Sequence, residues 1–445
     1  MKILLITYYY KHKNAMASVR PVKLAKYLSR QGHEVTVLTS NQIDTWTKSY
    51  NEPVADENIR EIYAPQIARW SKINGYLQHR KKMGQEKLAR AEASAQTQPA
   101  EAPASTKPSF KAKIKGFLGW FFYFTLAKQE HICLFKGLRA EAQRQGLKGF
   151  DAVIATYPSY GAFLTGIWFK KKGLCKQLIA DFRDPLYNPG FRDKKIEADY
   201  DKKCQKNIVK YADKLVCVSK GIADGITNEH PHIKKPVEII TNGYDPEDVS
   251  QNNIQVNFDK SKINFIYAGA LYHGKRCVDM LANVLKELIE EGKIKPDSFA
   301  FHYAGSDFSE LISQLSSYGL QSTAIDHGFV SREESIALQK NGSALLLLTW
   351  NEKNYQGVVP GKLFEYMSIE TVPIIALITG DVVNSEVAVM VRESGAGCAC
   401  EEANDADLAD LKSFVLKLFN NECNHNSDVK QYSYEEIARH YADIM

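Results

Sequence analysis

The chain has 445 residues, 44% of them apolar and 24% charged, with a formal net charge of +5. That length implies two domains of roughly 200 residues each, and the composition is that of a folded chain rather than a disordered one. A mild positive charge over this length argues against a nucleic-acid binder, which concentrates a stronger basic excess on one face.

The eight cysteines are scattered, and the one close pair, Cys398 and Cys400, has the wrong spacing for a zinc knuckle or a redox site. They read as reduced core thiols, which places the chain in a reducing, cytoplasmic compartment. The opening MKILLITYYY is too short an apolar run for a leader and reads as a first buried strand over Lys2–Thr7. Val19, Val22, Leu24, Ala25 and Leu28 follow at helical spacing, Gly32 closes that helix, and Glu34–Thr39 is a second strand. This is one βαβ unit, whose crossover is right-handed.

Residues 46–150 form a long insertion. Within it the Pro/Ala/Ser/Thr tract at 94–109 has little to bury and is expected to be disordered. The segment from Lys111 to Ala127, KAKIKGFLGWFFYFTLA, is too short to span a bilayer. Two readings stand for it: a helix lying in a membrane interface through residues 111–126, or a helix packed on the first domain. Strands resume at Asp151–Thr156, Gln177–Asp181, Lys214–Ser219 and Val237–Thr241, and the Asn242–Gly243 turn ends a first domain at about residue 245. A second series, over 260–430, has strands at Ile263–Ala268, Phe299–Ala304, Ala344–Thr349 and Val372–Leu377. A last helix, Tyr434–Asp443, occupies the segment 432–445. The expected architecture is α/β, two Rossmann-like domains whose parallel sheets face an interdomain cleft. Ligands then bind outside the carboxyl ends of the strands.

Four segments carry candidate chemistry. In GVVPGKLFEYMSIETVPIIAL (357–377), Pro360 and Gly361 precede a helix that presents Lys362 to a diphosphate and, one turn on, Glu365 to sugar or ribose hydroxyls. A plain helix-start ion pair is the competing reading. In YAGALYHGKR (267–276), Gly269 follows a strand and admits close approach of a ligand, while Lys275 and Arg276 suit phosphate oxygens. In HGFVSREES (327–335), Ser331 and Glu334 form a capping box, and the loop before it presents Phe329 and Val330 to a base. In ADFRDP (180–185), Arg183 and Asp184 end a strand, either facing the cleft or pairing with each other. The Tyr-rich loop from Tyr8 that leads to Arg20 lies at the same mouth.

With these pieces in order, the chain resembles the retaining family 4 glycosyltransferases of GT-B fold. The likeness is nearest to bacterial members with DFRDPW-like and GKLFEYL-like blocks, here Asp181–Leu186 and Gly361–Met367. LSRQGHEVTVLTS (28–40), KYADKLVCVSKGIADGI (210–226) and IITNGYDPEDV (239–249) are similar to further blocks of that family. The resemblance implies transfer of a sugar from a UDP- or GDP-linked donor, with retention and without a metal or other cofactor. The acceptor would be a saccharide or a lipid-linked acceptor, in cell-surface polysaccharide or glycolipid assembly, at the inner face of the membrane. It implies Arg276 and Lys362 on the donor diphosphate, Glu365 on the ribose, and the Phe329–Val330 backbone beside the base. Tyr9, Arg20, Arg183 and Asp184 would lie near the acceptor and the transferred sugar, and the terminal helix would cross back onto the first domain. One departure is Gly357, where the family carries a second glutamate that touches the donor sugar. That position leaves a non-catalytic nucleotide-sugar-binding protein open as an alternative, with a nucleotide-sugar epimerase as another. A dinucleotide-dependent dehydrogenase is disfavoured, because no G-x-G-x-x-G follows the first strand.

Overall fold

The computed structural model describes residues 1–11, 16–40, 58–65, 110–187, 194–232, 234–250, 254, 256–272, 274–353, 357–423 and 427–445. The expected disordered tract at 94–109 lies outside them. The described residues hold two parallel sheets in series, of seven and six strands.

The first sheet has the order β3-β2-β1-β4-β5-β6-β7. Its strands are β1 (Lys2–Ile6), β2 (Glu34–Ser40), β3 (Ile59–Ala64), β4 (Phe150–Tyr157), β5 (Cys175–Phe182), β6 (Lys214–Cys217) and β7 (Val237–Ile239). Helices α1 (Met16–Arg30), α2 (Phe110–Arg144), α3 (Tyr160–Lys171), α4 (Lys195–Tyr211) and α5 (Lys220–Glu229) alternate with them. Gly32 adopts φ +83° and ends α1 as expected, its N–H bonded to the Ser29 carbonyl. Parallel strands covered on both faces need apolar side chains at every position, and β1 and β4 are buried almost throughout.

β3 is an addition to the expected pattern. It sits inside the insertion and pairs in parallel with β2 from Val35↔Ile59 to Ser40↔Ala64. Its IREIYA sequence carries the adjacent charges Arg60 and Glu61, which suit a sheet edge and hid it among polar residues. Helix α2 is also longer than expected, 35 residues. Its first half contains the basic aromatic segment. Within 111–126 only the side chains of Phe121, Phe124 and Thr125 are described, and Phe121 is exposed. Among the described residues, no helix is long and apolar enough to cross a membrane.

The second sheet has the order β10-β9-β8-β11-β12-β13. Its strands are β8 (Ile263–Ala268), β9 (Phe299–Ala304), β10 (Ala324–Asp326), β11 (Ala344–Trp350), β12 (Ile374–Thr379) and β13 (Gly397–Glu401). A short helix α6 (Pro246–Ser250) precedes it. Its other helices are α7 (Asp279–Glu290), α8 (Phe308–Ser316), α9 (Arg332–Lys340), α10 (Gly361–Met367), α11 (Glu386–Glu393), α12 (Asp405–Phe419) and α13 (Tyr434–Ile444). The two-residue side-chain period of a strand divides its core cleanly. Phe265, Tyr267, Phe301, Tyr303, Leu346 and Leu348 pack on one face of the sheet. Ile266, Ala268, Leu345, Leu347, Ile374 and Ala376 pack on the other.

By internal packing the chain separates into two compact units. One is Met1–Phe182 with Lys194–Leu215, and the other is Arg183–Asp193 with Val216–Met445. Helix α13 belongs to the second. Its start is tied to the Asn242–Gly243 turn: Tyr244 accepts from the Tyr434 N–H, and a Cβ at Gly243 would stand 2.5 Å from the Tyr432 carbonyl oxygen. No disulfide links any of the eight cysteines, and six of them are buried, in line with core thiols.

Candidate functional site

In the second unit the candidate residues follow the carboxyl ends of adjacent parallel strands: 269–272 and 274–276 after β8, 305–307 after β9, 327–330 after β10, and 351–353, 357–360 and helix α10 after β11. This is the position a ligand takes in an open parallel sheet.

The loop after β8 is held at several of its backbone groups. Tyr303 Oη donates to the Gly269 carbonyl at 2.8 Å, and Tyr267 Oη donates to that of Ala270 at 2.7 Å. From the start of α8 and the residue before it, Asp307 accepts from the Leu271 N–H at 2.8 Å and Glu310 from the Gly274 N–H at 2.5 Å. Further along the helix, Gln314 donates to the Arg276 carbonyl and accepts from the Val278 N–H, both at 3.1 Å. Residues 307, 310 and 314 share one helical face, so a single side of α8 fixes the loop. That spacing was visible in the sequence but carried no meaning until the loop it grips was known.

Gly269 has φ +145°, a conformation open to glycine almost alone. A Cβ there would stand 2.8 Å from Lys362 Cε and 3.3 Å from Nζ. The lysine side chain therefore lies directly on the glycine backbone. Lys362 is half-buried, and burial holds its pKa below the usual lysine value; Glu365 opposes that shift and the Arg276 charge adds to it. An ammonium disfavoured chiefly by burial is favoured again when an anion arrives beside it.

The Arg276 guanidinium lies 4.5 Å from the Tyr272 ring centroid and 5.5 Å from that of Trp350, both within cation–π range. Its Nη1 donates to the Ala270 carbonyl at 3.2 Å. Its buried Nε has no hydrogen-bond partner among the described residues. Arg276 is thus oriented by aromatic faces and retains donor capacity. Lys275 Nζ lies 5.5 Å from the centroid of the same Trp350 ring, but its charge is paired with Glu352 at 3.2 Å. Neither Tyr272 nor Trp350 stood out in the sequence, because isolated aromatics give no signal of what they clamp.

Glu365 is the acidic member. Its Oε1 accepts from Gln339 Nε2 at 2.8 Å, whereas the nearest cation to Oε2, Arg332 Nε, stands 3.8 Å away, beyond hydrogen-bond reach. Gly361 begins α10, with Pro360 extended before it. Ser331 and Glu334 make both halves of the expected capping box at α9. On the loop before it, Phe329 is 90% exposed, while Val330 packs against the core of the unit.

The remaining candidates are placed as follows. Tyr9 is half-buried and meets Tyr8 edge-on at 4.7 Å. Arg20 is 2% exposed, with its Nε and Nη2 donating to the two oxygens of Asp181 at 3.2 and 3.1 Å. Arg183 is buried and Asp184 reaches solvent. Loss of hydration nevertheless raises the Asp184 carboxyl above its ordinary value, against the neighbouring Arg183 charge. Tyr9 and Arg20 belong to the first unit, Arg183 and Asp184 to the second.

Gly357 has a local physical reason. It has φ +79°, and a Cβ there would stand 2.8 Å from Ser219 Oγ, 2.9 Å from Gly221 Cα and 3.0 Å from the Ile222 nitrogen. The segment packs backbone to backbone on the start of α5. Gly357→Ala should therefore destabilise the protein by about 1–3 kcal/mol, read as a lower midpoint in chemical denaturation. An unchanged midpoint would show that the loop moves aside freely.

By sequence, no protein-family model matches the chain, and no curated protein does. By structure it is similar to a lipopolysaccharide outer core galactosyltransferase, WaaB, in its apo form, with TM-score 0.54 and 15% identity over 100% of this chain and 98% of that one. It is similar to the sucrose-phosphate synthase of Thermosynechococcus elongatus, with TM-score 0.56 and 11% identity over 100% and 98%. It is similar also to an E. coli structure titled trehalose-6-phosphate bound with UDP-2-fluoro glucose, with TM-score 0.56 and 9% identity over 100% and 98%. Two parallel α/β sheets in series, matched end to end with these structures, give this chain the GT-B fold.

Proposed function

We infer that the protein is a glycosyltransferase that takes a sugar from a UDP- or GDP-linked donor, and that the second unit holds the donor. The observation that carries this reading is Lys362, a cation disfavoured by burial and lying on the bare backbone of Gly269, with the Arg276 charge near enough to disfavour it further. The E. coli neighbour bound with a UDP-sugar analogue supports the same reading at the level of fold.

In this reading Lys362 and Arg276 bind the donor diphosphate. As the glycosidic bond breaks, negative charge grows on the departing diphosphate, and fixed cations in a water-poor site stabilise that charge more than they stabilise the ground state. Glu365 accepts from the ribose hydroxyls with its unengaged Oε2. The loop of Phe329 and Val330 lies beside the base. Tyr9, Arg183 and Asp184 serve the acceptor side, with Arg20 acting through Asp181 to hold its strand end. Retention of anomeric configuration, independence of metal, a saccharide or lipid-linked acceptor, contact with a membrane surface through 111–126, and a setting in cell-surface polysaccharide or glycolipid assembly complete the proposal.

Gly357 favours a second reading, a nucleotide-sugar-binding protein without turnover, since no side chain reaches the sugar from that position. A panel of UDP- and GDP-sugars decides between them. Release of nucleoside diphosphate from one donor, at a rate above its spontaneous breakdown, is the expected result. Binding without release or transfer from any donor would leave only the second reading.

Lys362 also gives the donor site a pH signature. A lysine with a lowered pKa loses its proton at a lower pH than an ordinary lysine, so affinity for inorganic pyrophosphate should be full below that point and fall as pH rises through it. Lys362→Arg should remove the decline, because arginine keeps its charge. Calorimetric titration between pH 7 and 10 checks both; a decline that persists in the arginine variant would assign it to another group.

A further inference from the structure

Gln339 lies on α9 with no solvent exposure, 26 positions before Glu365 in sequence and in contact with it in space. Its Nε2 donates twice, to Ser335 Oγ at 3.0 Å and to Glu365 Oε1 at 2.8 Å. Its Oε1 is buried and has no hydrogen-bond partner among the described residues. The direction of the amide is dictated by chemistry: turned over, its oxygen would face a carboxylate that can only accept. A buried carbonyl without a donor is costly, so the amide is held this way by what its nitrogen does for Glu365.

The consequence for Glu365 is specific. One carboxylate oxygen is occupied by a fixed donor, and the rotation of the group is thereby set. The other oxygen stands 3.8 Å from Arg332 Nε, and Arg332 Nη2 is itself bonded to Asp248 at 3.1 Å. Of the side chain, 14% remains exposed, and no hydrogen bond among the described residues occupies that oxygen, which leaves its lone pairs to hydroxyl donors. A ribose presents two such donors side by side.

We propose that Gln339 is a positioning residue: its side-chain amide orients Glu365 so that Oε2 faces the ribose 2′ and 3′ hydroxyls of the bound nucleotide. The proposal rests on the reading of the second unit as the donor site. Gln339 touches no ligand itself, so its effect falls on discrimination between ribose and deoxyribose rather than on the diphosphate.

The test uses calorimetric titration of the full chain with UDP and GDP, with their 2′,3′-dideoxy analogues, and with inorganic pyrophosphate. For whichever nucleotide binds, wild type should prefer the ribose form by about tenfold or more. Gln339→Leu, close in volume, should bring that preference near one and leave pyrophosphate affinity unchanged. Glu365→Ala should likewise bring the preference near one, and the double variant should lose no further preference. Gln339→Met serves in the same way where the leucine variant folds poorly, with thermal melts establishing the fold. A preference preserved in the Gln339 variants overturns this proposal alone. Failure of wild type to bind either nucleotide or pyrophosphate overturns the donor-site reading, and the proposal falls with it.

Discussion

Lys362→Ala should lower kcat/KM for the donor by about a thousandfold while leaving the unfolding midpoint close to that of wild type. The two halves of this expectation have one cause. Burial holds the Lys362 ammonium below its usual pKa, so the folded protein gains nothing from keeping that charge in place. An alanine relieves an under-solvated cation and removes some packing of the lysine stem on Gly269. The cost appears only when negative charge arrives, and most sharply in the transition state, where the diphosphate is leaving. Steady-state kinetics beside a thermal melt measures both. A large fall in stability with little change in kcat/KM would make Lys362 a structural residue.

Gly269→Ala is the second large effect, and here both quantities should fall. The backbone at φ +145° penalises any side chain, by about 1–3 kcal/mol. The new methyl would also collide with Lys362 Cε, 2.8 Å away, and push the ammonium out of position. Displacement of a catalytic cation by even an ångström costs about a hundredfold, so the variant should lose at least that factor in kcat/KM besides its stability. A double variant with Lys362→Ala should show little further loss of activity, since both act through the same ammonium, but should keep the stability defect. Additive losses in activity would show that Gly269 serves the ligand by a route independent of Lys362.

The strands and the cluster of candidate site residues beside them were legible in the sequence for a simple reason. β8 and β9 were read to the residue, because doubly covered parallel strands must be continuously apolar and bounded by turns. Gly269 was legible because it directly follows such a strand, Arg276 because it lies in the connection from that strand to the next helix, and Lys362 and Glu365 because they share one face at the start of a helix. The missed elements were short or polar. β10 has three residues and β13 is the small-residue run GCACE. β3 carries the adjacent charges Arg60 and Glu61 at an edge. In the site, the supporting residues were invisible for a different reason. Tyr272 and Trp350 meet around Arg276 from loops 78 positions apart, and Gln339 reaches Glu365 from another helix. No local period encodes such contacts. Lys275 shows the converse: next to Arg276 in sequence and equally basic, it turns to Glu352.

Gly357 illustrates a limit of reading function from a motif position. Its lack of a side chain is tied to close packing against Ser219, Gly221 and Ile222. The position is constrained by the fold of this chain, whatever the transferred sugar requires.

The most direct test of the donor-site assignment is a structure of the protein with UDP or GDP bound. The diphosphate oxygens should lie within hydrogen-bond distance of Lys362 Nζ and should give the buried Nε of Arg276 its partner, with the ribose against Glu365. A nucleotide bound elsewhere, with Arg276 and Lys362 untouched, would contradict the account.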